Sequence, residues 1–379
     1  MTGVLLALLI LSASSLYADD YDFDMESIEA KTYEIAGYLR SEYKHQNLNK
    51  ESPSYLLQEK TDSSQDAYLN EAMFGATYYK DEMILIGSFS AKYNNIAGYD
   101  KSIFTIYQLY AYNKLSLNHS IDAGKKRLKW GTGYFANPAA FLDRPKDPMQ
   151  PENVYEGYVL VDYTYNKSFE GDLKNLKLDL VYMPTSSEVN SDLYDGRSIN
   201  LAAKLYLLYF DTDIELIYLY NDPLKDKIGL TFSKNIESHF EVHGEYAKEI
   251  EGYNSYLLGL KYVTESDITI LSEYFYNSRG LDKEEIADAV RTKPYAGKSY
   301  LISKLSKKEP FDIVYASLYF RDIFNTEDQS HADSLGAIYT FKFNLEIDLS
   351  YTLNTGDPES EYGKKMISDF LWLKATWYY

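Results

Sequence analysis

The chain has 379 residues, and its 57 acidic against 38 basic side chains leave a formal net charge of −19 at pH 7. That balance argues against a nucleic-acid binder, whose affinity comes from clustered Lys and Arg, and the absence of Cys excludes disulfide frameworks, thiolate zinc sites and Cys nucleophiles. A content of 45% hydrophobic residues and 40 Tyr, with a mean hydropathy of −0.40, fits apolar side chains interleaved with polar ones, as in half-buried strands.

In chain order, the first element is a compact apolar run, Val4 to Leu11, followed by small residues ending at Ala18 and then by Asp19 and Asp20. This reads as a secretory signal over 1–18, with a periplasmic lead over 19–26. The apolar run is shorter than the roughly 20 residues a spanning helix needs. No Lys or Arg precedes Lys31, so the usual basic start is missing, and a short anchor or buried helix is the alternative. No later apolar run is long enough for a helical span, so the chain is either soluble outside the cytoplasm or a β-barrel.

From residue 27 onward, alternation with a period of two runs to the C-terminus. Val159, Val161, Tyr163 and Tyr165 share a face, as do Ile199, Leu201, Ala203, Leu205 and Leu207. Tyr256, Leu258, Leu260 and Tyr262 repeat the pattern, and so do Leu345, Ile347, Leu349, Tyr351 and Leu353. A helix would return apolar residues every three or four positions instead. The expected strands are 27–46, 66–80, 82–95, 102–114, 115–130, 154–167, 174–184, 196–210 and 212–221, then 226–234, 237–250, 252–264, 267–279, 297–306, 311–321, 332–344, 345–355 and 366–379. That is about 18 strands, with 16 as the alternative count because 47–81 is weakly patterned.

The connections alternate in length. Turns at Asp81, Asn113–Lys114, Ser168–Leu173, Asp211, Asn235–Ile236, Glu265–Ser266, Lys307–Pro310 and Asn344–Leu345 are short. Those at 47–65, 131–153, 185–195, 280–296, 322–331 and 356–365 are mostly long and polar. Short periplasmic turns and long outer loops are how outer-membrane barrels are built. Backbone groups must all be paired in hydrocarbon, so a spanning sheet has to close on itself. The expected fold is therefore all-β: a closed antiparallel transmembrane barrel over 27–379, wide enough for an aqueous lumen, with Tyr at its two interfaces.

One segment has its own character. Residues 124–152 hold four of the ten prolines, at Pro138, Pro145, Pro148 and Pro151, so the loop that follows the strand cannot be sheet and is stiff. Gly131 and Gly133 allow a sharp exit from the strand, and Phe135, Ala139, Ala140, Phe141 and Leu142 offer an apolar patch for docking on the barrel wall. Lys125, Arg127 and Lys129 would form a basic ladder toward the lumen if a bulge near Gly124 reversed their parity. Asp143, Arg144, Lys146, Asp147 and Glu152 supply the opposing charges of a constriction, where a transverse field sorts solutes. The alternative is that these charges are solvated or pair within the loop to hold it.

Other chemistry is weakly signalled. His239 and His243 sit about 13 Å apart along a strand and would not share a metal. His119 with Ser88, Ser90, Ser116 or Ser120 is a loose match to an outer-membrane hydrolase, and the run 282–288 reads as a short solvated helix rather than a calcium loop. No metal or cofactor is expected.

Trp130, Gly131, Gly133 and Tyr134, with Asn137, Pro138 and Asp143, resemble the W-G-x-G…N-P…D signature of a large group of outer-membrane porin-like barrels, of which alginate-export barrels are distant relatives. In general bacterial porins the loop at this place folds into the lumen and narrows it. The last strand, with Leu371, Leu373, Trp377 and Tyr379 on one face, resembles the C-terminal signal read by the barrel-insertion machinery. The resemblance implies an outer-membrane channel for small hydrophilic or charged solutes, in contact with lipid and lipopolysaccharide, not enzymatic, and either trimeric or monomeric. A binding or adhesion barrel working through its outer loops is the alternative.

Overall fold

The computed structural model describes residues 32–58, 62–193, 196–290 and 295–379. The expected export signal, the expected lead and the start of the first expected strand lie outside them. The strands are β1 (Tyr33–Leu48), β2 (Ser64–Lys80), β3 (Met83–Ile96), β4 (Tyr99–Ser116), β5 (His119–Lys126), β6 (Tyr158–Ser168), β7 (Leu173–Thr185), β8 (Ser198–Tyr209) and β9 (Thr212–Asp222). They continue as β10 (Lys227–Ile236), β11 (Phe240–Glu249), β12 (Asn254–Val263), β13 (Ile268–Asn277), β14 (Ser299–Lys308), β15 (Ala316–Asn325), β16 (Ser330–Thr340), β17 (Leu345–Thr355) and β18 (Ile367–Tyr378). All belong to one 18-stranded sheet in which each strand pairs antiparallel with its sequence neighbours. β1 pairs with both β2 and β18, so the sheet closes.

The alternation explains why it closes. Leu216, Tyr218, Leu258, Leu260, Phe320, Leu349 and Leu371 are all exposed on one face. Between them Glu215, Ile217, Glu245, Glu273, Arg321 and Ser350 turn to the other, inner face. An apolar outer band stabilises the cylinder in hydrocarbon while its inner face stays polar.

The closing seam carries a specific joint. Tyr379 exchanges backbone hydrogen bonds with Gly37 at 3.1 and 3.3 Å, and its hydroxyl donates across β1 to the Met73 carbonyl of β2 at 3.0 Å. A Cβ at Gly37 would lie 2.4 Å from that hydroxyl. Only glycine lets the C-terminal ring lie flat over β1.

Several boundaries depart from the sequence reading. The strand expected over 311–321 runs Ala316–Asn325, after a short 3-10 helix at Pro310–Asp312 in place of the brief turn expected at Lys307–Pro310. The turn expected at Asn113–Lys114 falls at residues 117–118, because pairing of β4 with β5 runs on through an irregularity between Lys114 and Ser116. The strand expected over 115–130 ends at Lys126, where the chain leaves the sheet. The long loop expected at 322–331 is a turn of four residues, 326–329. There β15 and β16 continue because their polar inner side chains are satisfied: Asn325 donates to Glu361, and Ser330 donates to Asp328. Two short helices, α1 (Pro53–Leu56) and α2 (Lys283–Asp288), lie in connections. The second is the helix expected at 282–288. It has an Asp282/Glu285 capping box, but it is docked rather than free, with Ile286 fully buried and Lys364 donating to the carbonyls of Ile286, Ala287 and Ala289.

Candidate functional site: a loop clamped on acidic side chains

Residues 127–157, between β5 and β6, contain neither helix nor strand. Their contacts reach far round the wall, and those with β9, β11 and β13 fall on its polar face. The backbone N–H groups of five successive residues converge on three glutamates. Gly131 donates to Glu215 of β9 at 3.3 Å; Thr132 and Gly133 donate to Glu245 of β11 at 2.6 and 2.7 Å. Tyr134 and Phe135 donate to Glu273 of β13 at 2.5 and 2.8 Å, and Ala139 returns to Glu245 at 2.9 Å. Hydrogen bonds to charged acceptors contribute about 1.5–3 kcal/mol each.

The glycines make this geometry attainable. Gly131 has φ 88°, a left-handed conformation, and a Cβ there would sit 2.7 Å from a Glu245 oxygen. At Gly133 a Cβ would meet the Ala136 carbonyl at 2.1 Å. The other motif residues fold the loop on itself. The Asp143 carboxylate accepts from the N–H groups of Leu128 and Trp130, and burial pushes its pKa up against the pull of those bonds. Asn137 accepts from the Lys146 N–H and donates to the Arg144 carbonyl. Pro138 follows it, and Ala139, Ala140 and Leu142 are buried beside Trp130, Leu160, Met183 and Leu219. Phe135 packs with Tyr300, Ile302 and Ile323. The apolar patch thus packs the loop against these strand residues.

A second layer supports the clamp. His243, fully buried, lies 2.8 Å from Glu273 through Nε2 and 3.4 Å from Glu241 through Nδ1. The Tyr134 hydroxyl donates to Glu241 at 3.0 Å and accepts from Lys261 at 3.2 Å.

The expected basic ladder is not formed. Register runs through Gly124 without a shift, so Lys125 keeps the parity of Ile121 and Ala123, opposite the exposed Leu109 and Val159. Its amine pairs with Glu156. Lys126 takes the inner position and bridges Asp122 and Asp162 at 2.6 and 2.9 Å. Arg127 and Lys129 lie beyond the strand, Lys129 at φ 56° and exposed. The remaining charged candidates are engaged: Arg144 with Glu156 and Asp192, Lys146 with the Gly133 carbonyl, Asp147 with the Tyr295 hydroxyl, and Glu152 with Lys304 at 3.1 Å. Most of the eight thus hold the loop in place, through partners within it and on the wall. Between the loop and the wall a cavity of about 580 Å³ is lined by Phe141, Lys146, Tyr158, Lys227, Tyr253 and Arg279, among others.

Sequence reasoning missed the three glutamates, which look like any other polar inner positions. It also missed Lys365, a loop residue whose amine stands 3.8 Å over the Tyr362 ring. Burial pulls this lysine down to about 8, against the attraction of Glu361 and Asp147. His119 bonds the Tyr163 hydroxyl on the outer face, whereas Ser88 and Ser90 are buried on the inner one, so no Ser–His pair forms there.

No family model and no curated protein matches the sequence. Solved structures do match. A BenF-like porin from Pseudomonas fluorescens Pf-5 is 10% identical with a TM-score of 0.59, over 92% of this chain and 99% of that one. OccK5 (OpdH) of Pseudomonas aeruginosa is 10% identical with a TM-score of 0.58, over 91% and 98%. Acinetobacter baumannii OccAB3 is 11% identical with a TM-score of 0.56, over 92% and 99%. At that identity the likeness is one of fold: the chain has the architecture of porin-type outer-membrane barrels along almost its full length.

Proposed function

We propose that the protein is a porin-type channel of the bacterial outer membrane, passing small hydrophilic or charged solutes by passive or weakly selective diffusion. The 127–157 segment is its constriction. The observation that carries this reading is the clamp: five consecutive N–H groups bonded to glutamates on the polar face of a closed cylinder. A loop fixed so firmly across the wall narrows the path without blocking it on its own motion. The apolar outer band contacts lipid and lipopolysaccharide, and the C-terminal strand, with Leu371, Leu373, Trp377 and Tyr379, is what the insertion machinery reads. The catalytic alternative gains nothing from Ser88 and Ser90, which lie on the opposite face of the sheet from His119.

Planar-bilayer recording of the folded protein tests this. Discrete, steady conductance steps are expected. Well-folded barrels that carry no ion current would reject the channel.

A further inference from the structure

The outer face of β15 and β16 carries side chains that neither the channel nor the apolar band uses. Arg321 and Ile323 are buried on the inner face, so Asp322 points the other way. Ala332 and Ser334 are likewise buried, which places His331 and Asp333 on the outside. Asp322 and Asp333 are direct cross-strand partners, and Phe324 with His331 is the next but one pair toward the turn. The Asp322 carboxylate lies 3.0 Å from His331 Nδ1, and one ligand atom from each of the three residues falls within 4.8 Å of the others. Phe324 stacks on the imidazole at 4.5 Å and holds its plane.

Two independent features set this group apart from a solvated polar patch. Carboxylates directly opposite each other on paired strands repel, and among the described residues neither forms an ion pair with Lys or Arg. Their place is also anomalous. Phe320 and Leu335, one pleat below on the same face, are 42% and 63% exposed members of the apolar band. The aspartates therefore stand at its upper edge, where unbalanced negative charge is unfavourable.

We propose that Asp322, His331 and Asp333 form a binding site for a divalent transition cation of the zinc type. One imidazole and two carboxylates make a mixed donor set. Imidazole favours zinc and its neighbours, whereas calcium and magnesium prefer oxygen alone. Three protein ligands leave zinc one open position for a solvent ligand. The cation cancels the carboxylate repulsion and ties β15 to β16 above the band. It lies on the opposite face from the clamp, so it stands or falls apart from the channel reading.

The test is titration of Zn²⁺ into folded protein in chelator-free detergent. One saturable site is expected in the wild type. Asp333→Asn and His331→Gln should weaken it by about tenfold or more. His45→Gln, which removes the other exposed His–Asp pair, with Asp66, should leave it unchanged. Heat-shifted electrophoretic mobility confirms that each variant is folded, and Asp322→Asn serves if His331→Gln is not. No saturable binding to the wild type, or equal affinity in the folded variants, overturns the site. Displacement by an equal concentration of Ca²⁺ overturns the assignment to a transition cation.

Discussion

Glu245 carries more of the loop than any residue within the loop itself. It accepts from Thr132, Gly133 and Ala139, so Glu245→Ala strands three N–H groups, each costing about 1–3 kcal/mol if left bare. The expected result is a folded barrel with a larger and noisier conductance. An unchanged current trace would show that the loop is held by something else. Lys365 sets a pH dependence. Its amine is charged below about 8 and neutral above, because burial has lowered it from the ordinary lysine range. One positive charge near Asp147 is therefore lost as pH rises through that value. Anion preference, read as reversal potential in a salt gradient, should fall over this window in the wild type and stay flat in Lys365→Met.

Among the elements, the seam between β18 and β1 is the most sharply specified. Gly37→Val would drive a side chain into the Tyr379 ring and the Met73 carbonyl, and overpacking of that kind costs about 1–3 kcal/mol. Heat-shifted electrophoresis should show unfolding at a lower temperature, and no shift would mean the joint is incidental. The strands were legible because the outer face repeats apolar residues at every second position, as at Leu216, Tyr218 and Tyr220. The 326–329 turn was not, because Asp322, His331 and Asp333 interrupt that repeat on the outer face. The extent of β5 was misread for a related reason: Lys125, Arg127 and Lys129 keep the alternation going in sequence, while the sheet ends at Lys126. The motif residues around Trp130 stood out by composition, but their partners did not. A clamp made from backbone N–H groups leaves no mark in side-chain identity, and Glu215, Glu245 and Glu273 are spread over three strands.

For the whole molecule, closure decides everything else. Antiparallel pairing of β1 with β18 leaves no free edge and gives the chain two separate surfaces, an apolar one outside and a charged one within. The chain has no cysteine, so single introduced thiols report on each surface cleanly. Lys146→Cys on the 127–157 loop and Leu216→Cys on the outer band should be compared in a bilayer, before and after a charged methanethiosulfonate reagent. The account predicts that the reagent lowers the current through the Lys146 variant and leaves the Leu216 variant unchanged. Current untouched at position 146, or reduced at position 216, would contradict it.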